Sequence, residues 1–161
     1  MTPLISPSQI IIHHSLTKDG RTLSWPAIRY YHVNVNHWTD CGYHYGLELY
    51  HLQYEILTGR MMTEQGAHCL GCNHDSLGVC FVGNFDKAEP ATEQWELGLR
   101  LVHSLMTVFN IPSDQVYGHR HFARKTCPGL FFNMDRFRAE LLNMGDINLA
   151  VGTFEREAYC L

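Results

Sequence analysis

At 161 residues the chain has the size of one domain, long enough to bury a core without disulfide or metal staples. A formal charge of -4 and a pI near 6.2 leave no basic footprint for nucleic acid, and no run of like charges marks a tail or a membrane-binding helix. Met1 to Gln9 lack the basic start of a signal peptide, and the apolar run Ile10–Ile12 is too short to span a bilayer, so we expect a chain folded in the cytosol with no stable membrane association.

In chain order, Ile10-Ile-Ile-His-His14 reads as a strand buried on both faces, and alternation sends His13 and His14 to opposite sides of it. Ser24 is placed to cap a helix over residues 25–32, with Pro26 tolerated in its first turn. His37 to Gly42 returns the chain to a strand, and residues 43–49 and 53–57 alternate as hairpin partners would. Gly66 to Ser76 is polar and glycine-rich, which predicts a loop over the sheet. Leu77 to Val82 is a further buried strand, and Asn73 and Asn84 read as turn residues.

Residues 92–109 carry the clearest helical period, with Thr92 as the expected cap. Trp95, Leu99, Val102, Met106 and Phe109 step along one face as a core stripe. Val116 to His119 is a short strand, and Asn133 to Met144 a last helix stopped by Gly145. Residues 146–161 have weak patterning and receive no role. The fold expected is therefore α/β: a single domain over 1–161, its core at about 10–145, with a mixed sheet of five or six strands flanked by about three helices.

The chemistry concentrates in Tyr117 to Gly129, which reads Y-G-H-R-H-F-A-R-K-T-C-P-G. Pro128 biases Cys127 toward extended backbone, so that Lys125 and Cys127 can face one cavity. An imidazole and a thiol eight residues apart suit Zn²⁺, which takes nitrogen and thiolate ligands. His119 and His121 both qualify by spacing, as do His13 and His14 for a third ligand from the first strand. Six cysteines without a secretory signal favour thiols over disulfides, and Cys69-Leu-Gly-Cys72, lacking a matching second pair, reads as core or structure. No H-E-x-x-H helix and no G-x-S-x-G elbow is present; Cys127 as a nucleophile with His119 as base is a residual alternative.

Six segments, taken together and in order, resemble the zinc-dependent N-acetylmuramoyl-L-alanine amidases of the peptidoglycan-recognition and phage-lysozyme family. They are I-I-H-H-S, I-R-Y-Y-H at 28–32, W-T-D-C-G-Y-H at 38–44, G-A-H at 66–68, N-H-D-S-L-G-V-C-F-V-G at 73–83, and G-H-R with C-P-G eight residues on. The phage branch is the nearer one, because of Lys125. The resemblance implies that family's fold, and His13, His119 and Cys127 as ligands of one Zn²⁺ per chain. It implies attack by zinc-bound water on the amide between the lactyl group of N-acetylmuramic acid and L-alanine, with Tyr43 and Lys125 assisting. His68 would contact substrate or support a ligand, and Asp40 would anchor the loop before Tyr43 or orient a ligating imidazole. Peptidoglycan or muropeptides are the implied partners of a monomer that acts on the cell wall after release, as a phage or prophage endolysin. A non-catalytic peptidoglycan-binding or regulatory domain of the same fold, with a protein partner, is the alternative.

Overall fold

The computed structural model describes residues 3–17 and 24–145, so the C-terminal tail falls outside the described residues. Five strands, β1 (Gln9–His14), β2 (Tyr45–Tyr50), β3 (Gln53–Thr58), β4 (Ser76–Phe81) and β5 (Val116–Gly118), form one mixed sheet in the order β3-β2-β4-β1-β5. Only the β2/β3 hairpin is antiparallel. The pairs β2/β4, β4/β1 and β1/β5 are parallel, and β1 and β4 at the centre are the two continuous apolar runs of the sequence, as strands covered on both faces require.

Strand alternation divides the labour between the two faces. Ile10, Ile12, Leu47, Leu77, Val79, Phe81 and Val116 join the main core beneath helices α2 (Thr92–Phe109) and α3 (Met134–Asn143). His14 lies on that side too, where its Nδ1 accepts from the N–H of Phe85 at 3.3 Å. Gln94, buried at the start of α2, donates from one amide nitrogen to the carbonyls of Leu47 and Val82 at 3.0 and 2.9 Å, tying the helix to β2 and to the chain leaving β4. The other face carries His13, Gly46, Glu48, Ser76, Gly78 and Cys80. It is covered by α1 (Trp25–Tyr30) with its π-helical continuation Tyr31–Val35, and by loops.

Residues 37–42 are irregular and lead the chain toward β2: His37 has φ +56°, Trp38 donates back to the carbonyl of His32, and Arg60 holds the carbonyls of Asp40 and Cys41. Two local expectations, both helix caps, differ from what the chain forms. Ser24 stands at the N-terminus of α1 without a side-chain cap; the buried carboxylate of Glu48 on β2 accepts from the N–H groups of Ser24 and Trp25 instead, placing negative charge at the helix start. Thr92 is the first helical residue, with Ala91 in the cap position. Asn133 caps α3, its side chain accepting from Arg136 N–H at 2.9 Å.

Candidate metal centre

Three distant segments deliver their side chains to one point. His13 leaves the end of β1 on the loop-covered face, His119 opens a single 3-10 turn directly after β5, and Cys127 precedes Pro128 where that loop returns. One donor atom from each lies within 4.8 Å of the other two. The thiol of Cys127 stands 3.7 Å from His13 Nδ1, and the two imidazole centroids are 4.6 Å apart. His13 and Cys127 are buried; His119 is half-buried. His121 does not share the site. Residues 119–121 are helical rather than extended, so positions two apart diverge, and His121 stacks on Tyr117 at 4.7 Å instead.

The unused nitrogen of His13 is fixed by a chain of hydrogen bonds. Its Nε2 lies 3.1 Å from Nδ1 of the buried His68. His68 Nε2 lies 3.4 Å from the hydroxyl of Ser76, which donates to the carbonyl of Cys72. With that hydroxyl proton committed, Ser76 accepts from His68 Nε2–H. His68 Nδ1 then carries a lone pair, accepts from His13 Nε2–H, and leaves the lone pair of His13 Nδ1 directed at the Cys127 sulfur. The backbones of Gly66 and Gly78 flank the His68 ring, and a Cβ at either would stand 2.5–2.6 Å from ring carbons. Ser76, Gly66 and Gly78 lie within the segments 66–68 and 73–83, but nothing in the sequence marks their part in orienting His13.

Burial keeps these donors neutral when no cation is present. It lowers His13 well below the ordinary histidine value, with the neighbouring charges of His68 and His119 adding to the effect. Burial likewise draws His68 down to about 3 and lowers His119, the latter helped by the ammonium of Lys125. Burial pushes the Cys127 thiol up to about 11, against a backbone hydrogen bond from His14 and the charge of Lys125. Two neutral imidazoles and a thiol that a bound cation would ionise fit a divalent zinc ion.

Tyr43 packs beside the group, its ring 5.1 Å from that of His13. Burial raises its phenol well above the usual value, with the neighbouring thiols of Cys80 and Cys127 adding to the effect. The loop that presents it is held from several sides. His32 Nδ1 accepts from Gly42 N–H at 3.1 Å, and the buried guanidinium of Arg60 donates to the carbonyls of Cys41 and Gln65 at 2.6 and 2.7 Å. Asp40 pairs with Arg29 at 2.8 Å and accepts from Cys41 N–H, so it anchors this loop; none of its hydrogen bonds or ion pairs among the described residues is to an imidazole of the group. Lys125 is exposed, at the rim, and acts on the two imidazoles through its charge. On the Tyr43 side a cleft of about 400 Å³ opens between Ser15, Ser24, Ile28, Tyr31, His32 and Tyr43. No described helix is long and apolar enough to cross a membrane.

Comparison with known proteins gives concordant matches. A family model described as N-acetylmuramoyl-L-alanine amidase matches residues 4–130. The endolysin of Enterobacteria phage K11 is 31% identical over 135 residues, covering 81% of this chain and 84% of the endolysin. Peptidoglycan-recognition protein SC2 of Drosophila melanogaster is 28% identical, covering 76% of this chain and 68% of that protein. Among solved structures, the N-acetylmuramoyl-L-alanine amidase LysC from Clostridium intestinale superposes with a TM-score of 0.72 at 24% identity, covering 88% of this chain and 91% of that one, which shows a shared fold.

Proposed function

Because the chain belongs to the N-acetylmuramoyl-L-alanine amidase family, we propose that it hydrolyses the amide joining the lactyl group of N-acetylmuramic acid to L-alanine in peptidoglycan, as a phage or prophage endolysin. One Zn²⁺ ion held by His13, His119 and Cys127 would serve each chain. The observation that carries this reading is the convergence of those three donor atoms within 4.8 Å. Three protein donors, where a closed structural site takes four, match a catalytic zinc site. The chemistry supplied by zinc there is Lewis-acid polarisation of a carbonyl and a lowered water pKa of about 7.

The chain's own groups have separable tasks. His68 and Ser76 fix the tautomer of His13, so that Nδ1 is the donor. Tyr43, kept protonated by burial, donates a hydrogen bond to the negative charge developing on the scissile carbonyl oxygen. Lys125 adds positive charge at the rim. The glycopeptide, intact or as released muropeptide, would lie in the cleft lined by Tyr31, His32 and Tyr43.

Digestion of purified peptidoglycan, read by mass spectrometry, tests the proposal. The expected product is a newly freed L-alanine amine with the glycan chain unbroken, lost on chelation and recovered with added Zn²⁺. A Cys127→Ser variant should release none. Binding of peptidoglycan by the zinc-loaded protein with no amide cleaved would instead favour a recognition module, and activity that survives chelation would favour a Cys127 nucleophile.

A further inference from the structure

Cys69 and Cys72 stand outside the three-donor group, and the fold gives them a geometry of their own. The N–H of Cys72 donates to the carbonyl of Cys69 at 3.0 Å, so Cys69-Leu70-Gly71-Cys72 is a hydrogen-bonded four-residue turn. Gly71 takes φ +88° in its third position, a conformation that suits glycine. Such a turn brings its first and fourth Cα atoms within about 7 Å, and disulfides close over Cα separations of about 4.4–6.8 Å. Cys69 is only 2% exposed, Cys72 is half-exposed, and Leu70 at the tip is 97% exposed, so the pair opens to solvent through Cys72. Both flanks are tied down. Asn73 Oδ1 accepts from the N–H groups of His68 and Cys69 at 2.9 Å each, and Ser76 donates to the Cys72 carbonyl. Closing a bond inside the turn therefore asks little of the backbone around it.

We propose that Cys69 and Cys72 form a reversible redox site, closed to a disulfide by exchange with a low-molecular-weight disulfide such as oxidised glutathione. The half-exposed Cys72 attacks first as its thiolate. It bonds to one sulfur of the incoming disulfide, whose S–S bond breaks and whose other half leaves and takes up a proton. Cys69 then gives up its proton, bonds to the Cys72 sulfur and expels the second small thiol. Two protein thiols are oxidised, one small disulfide is reduced to two thiols, and two protons pass from protein to product. Burial is the main cause that pushes the Cys69 thiol up to about 12. A pair of this kind separates a reducing cytosol from an oxidising space beyond it, and the site does not depend on the amidase reading.

The test uses the full chain with Zn²⁺ present. It is equilibrated over a series of reduced to oxidised glutathione ratios, acid-quenched, denatured, alkylated and cut with trypsin. The peptide from Met61 to Lys87 holds Cys69, Cys72 and Cys80. It should carry three alkyl groups in the reduced limit and one, on Cys80, in the oxidised limit, with three regained after dithiothreitol. Cys72→Ser should keep both of its remaining thiols alkylatable at every ratio, and Cys69→Ala should accumulate a glutathione adduct on Cys72. Three alkyl groups throughout the wild-type series, a wild-type end state with glutathione on Cys72 and Cys69 still free, or a bond from either cysteine to Cys127 would each overturn the proposal.

Discussion

The hydrogen-bond chain behind His13 can be broken without touching a donor, by the substitution Gly78→Ala. Gly78 lies on β4 beneath the His68 imidazole, and a Cβ there would stand 2.6 Å from its Cγ and Cδ2 and 2.9 Å from its Nδ1. Carbon contacts relax only beyond about 3.5 Å, so the ring must retreat by roughly 0.9 Å. Gly66 closes part of its surroundings at comparable range. The 3.1 Å bond to His13 does not survive such a shift with good geometry. Overpacking of this kind costs about 1–3 kcal/mol, visible as a lower urea midpoint in the metal-free protein. Loss of a group that orients a metal ligand typically weakens metal binding about 10–100-fold, which competition against a chromophoric zinc chelator measures directly. His68→Ala and Ser76→Ala should move zinc affinity in the same direction, His68→Ala the further. Should all three variants hold zinc as tightly as wild type, His68 and Ser76 do not orient His13; if only Gly78→Ala does, the steric argument is wrong.

Tyr43→Phe should lower the amide-cleavage rate about 10²–10³-fold, the cost typical of one oxyanion donor, while zinc affinity stays at the wild-type level in the same chelator assay. Lys125→Met should cost less, about five- to tenfold, because an exposed charge acts through water, and the difference from wild type should shrink as salt rises. Acid should unfold the metal-free protein early. His13, His44 and His68 all have folded values below 6.5 because of burial. Their stabilisation is fully present above pH 6.5 and is lost as pH falls, since the unfolded chain takes up protons that the folded one refuses. His68 alone, with its value near 3, accounts for roughly 5 kcal/mol across that window. A urea midpoint of the metal-free protein that stays flat from pH 7.5 to 5 would contradict this.

What the sequence made legible was set by how local the physics is. β1 and β4 announce themselves as apolar runs, and α2 as a stripe from Trp95 to Phe109 that does pack on the core. Both outcomes depend only on side-chain period. Glu48 serving the first turn of α1, Arg60 holding Cys41, and Gln94 joining β2 to the segment after β4 were not legible, because each joins segments 12 to 47 residues apart. The π-helical turn at Tyr31–Val35 and the coil at 37–42 likewise follow from what those residues meet, and no period marks them. Alternation did place His13 and His14 on opposite faces. Which face would carry chemistry was decided by α2 and α3 covering the other one.

That division of faces explains why one sheet can both hold the fold together and present a reactive group. On the helix-covered face β1, β2, β4 and β5 contribute aliphatic or aromatic bulk, and even the strand-end His14 is bonded to backbone. On the loop-covered face β4 carries Ser76, Gly78 and Cys80, small groups that fill little volume, beside Ile11 and His13 of β1. Space over small residues admits imidazoles: a Cβ at Gly78 would intrude on His68, and His44 Nδ1 accepts from Gly78 N–H at 2.8 Å. The imidazoles thus lie against rigid central strands, His44 bonded to their backbone and His68 to the hydroxyl of Ser76. A donor group held this way loses little further freedom when it closes on a cation, which is what a site must offer if metal binding is to be tight before substrate arrives.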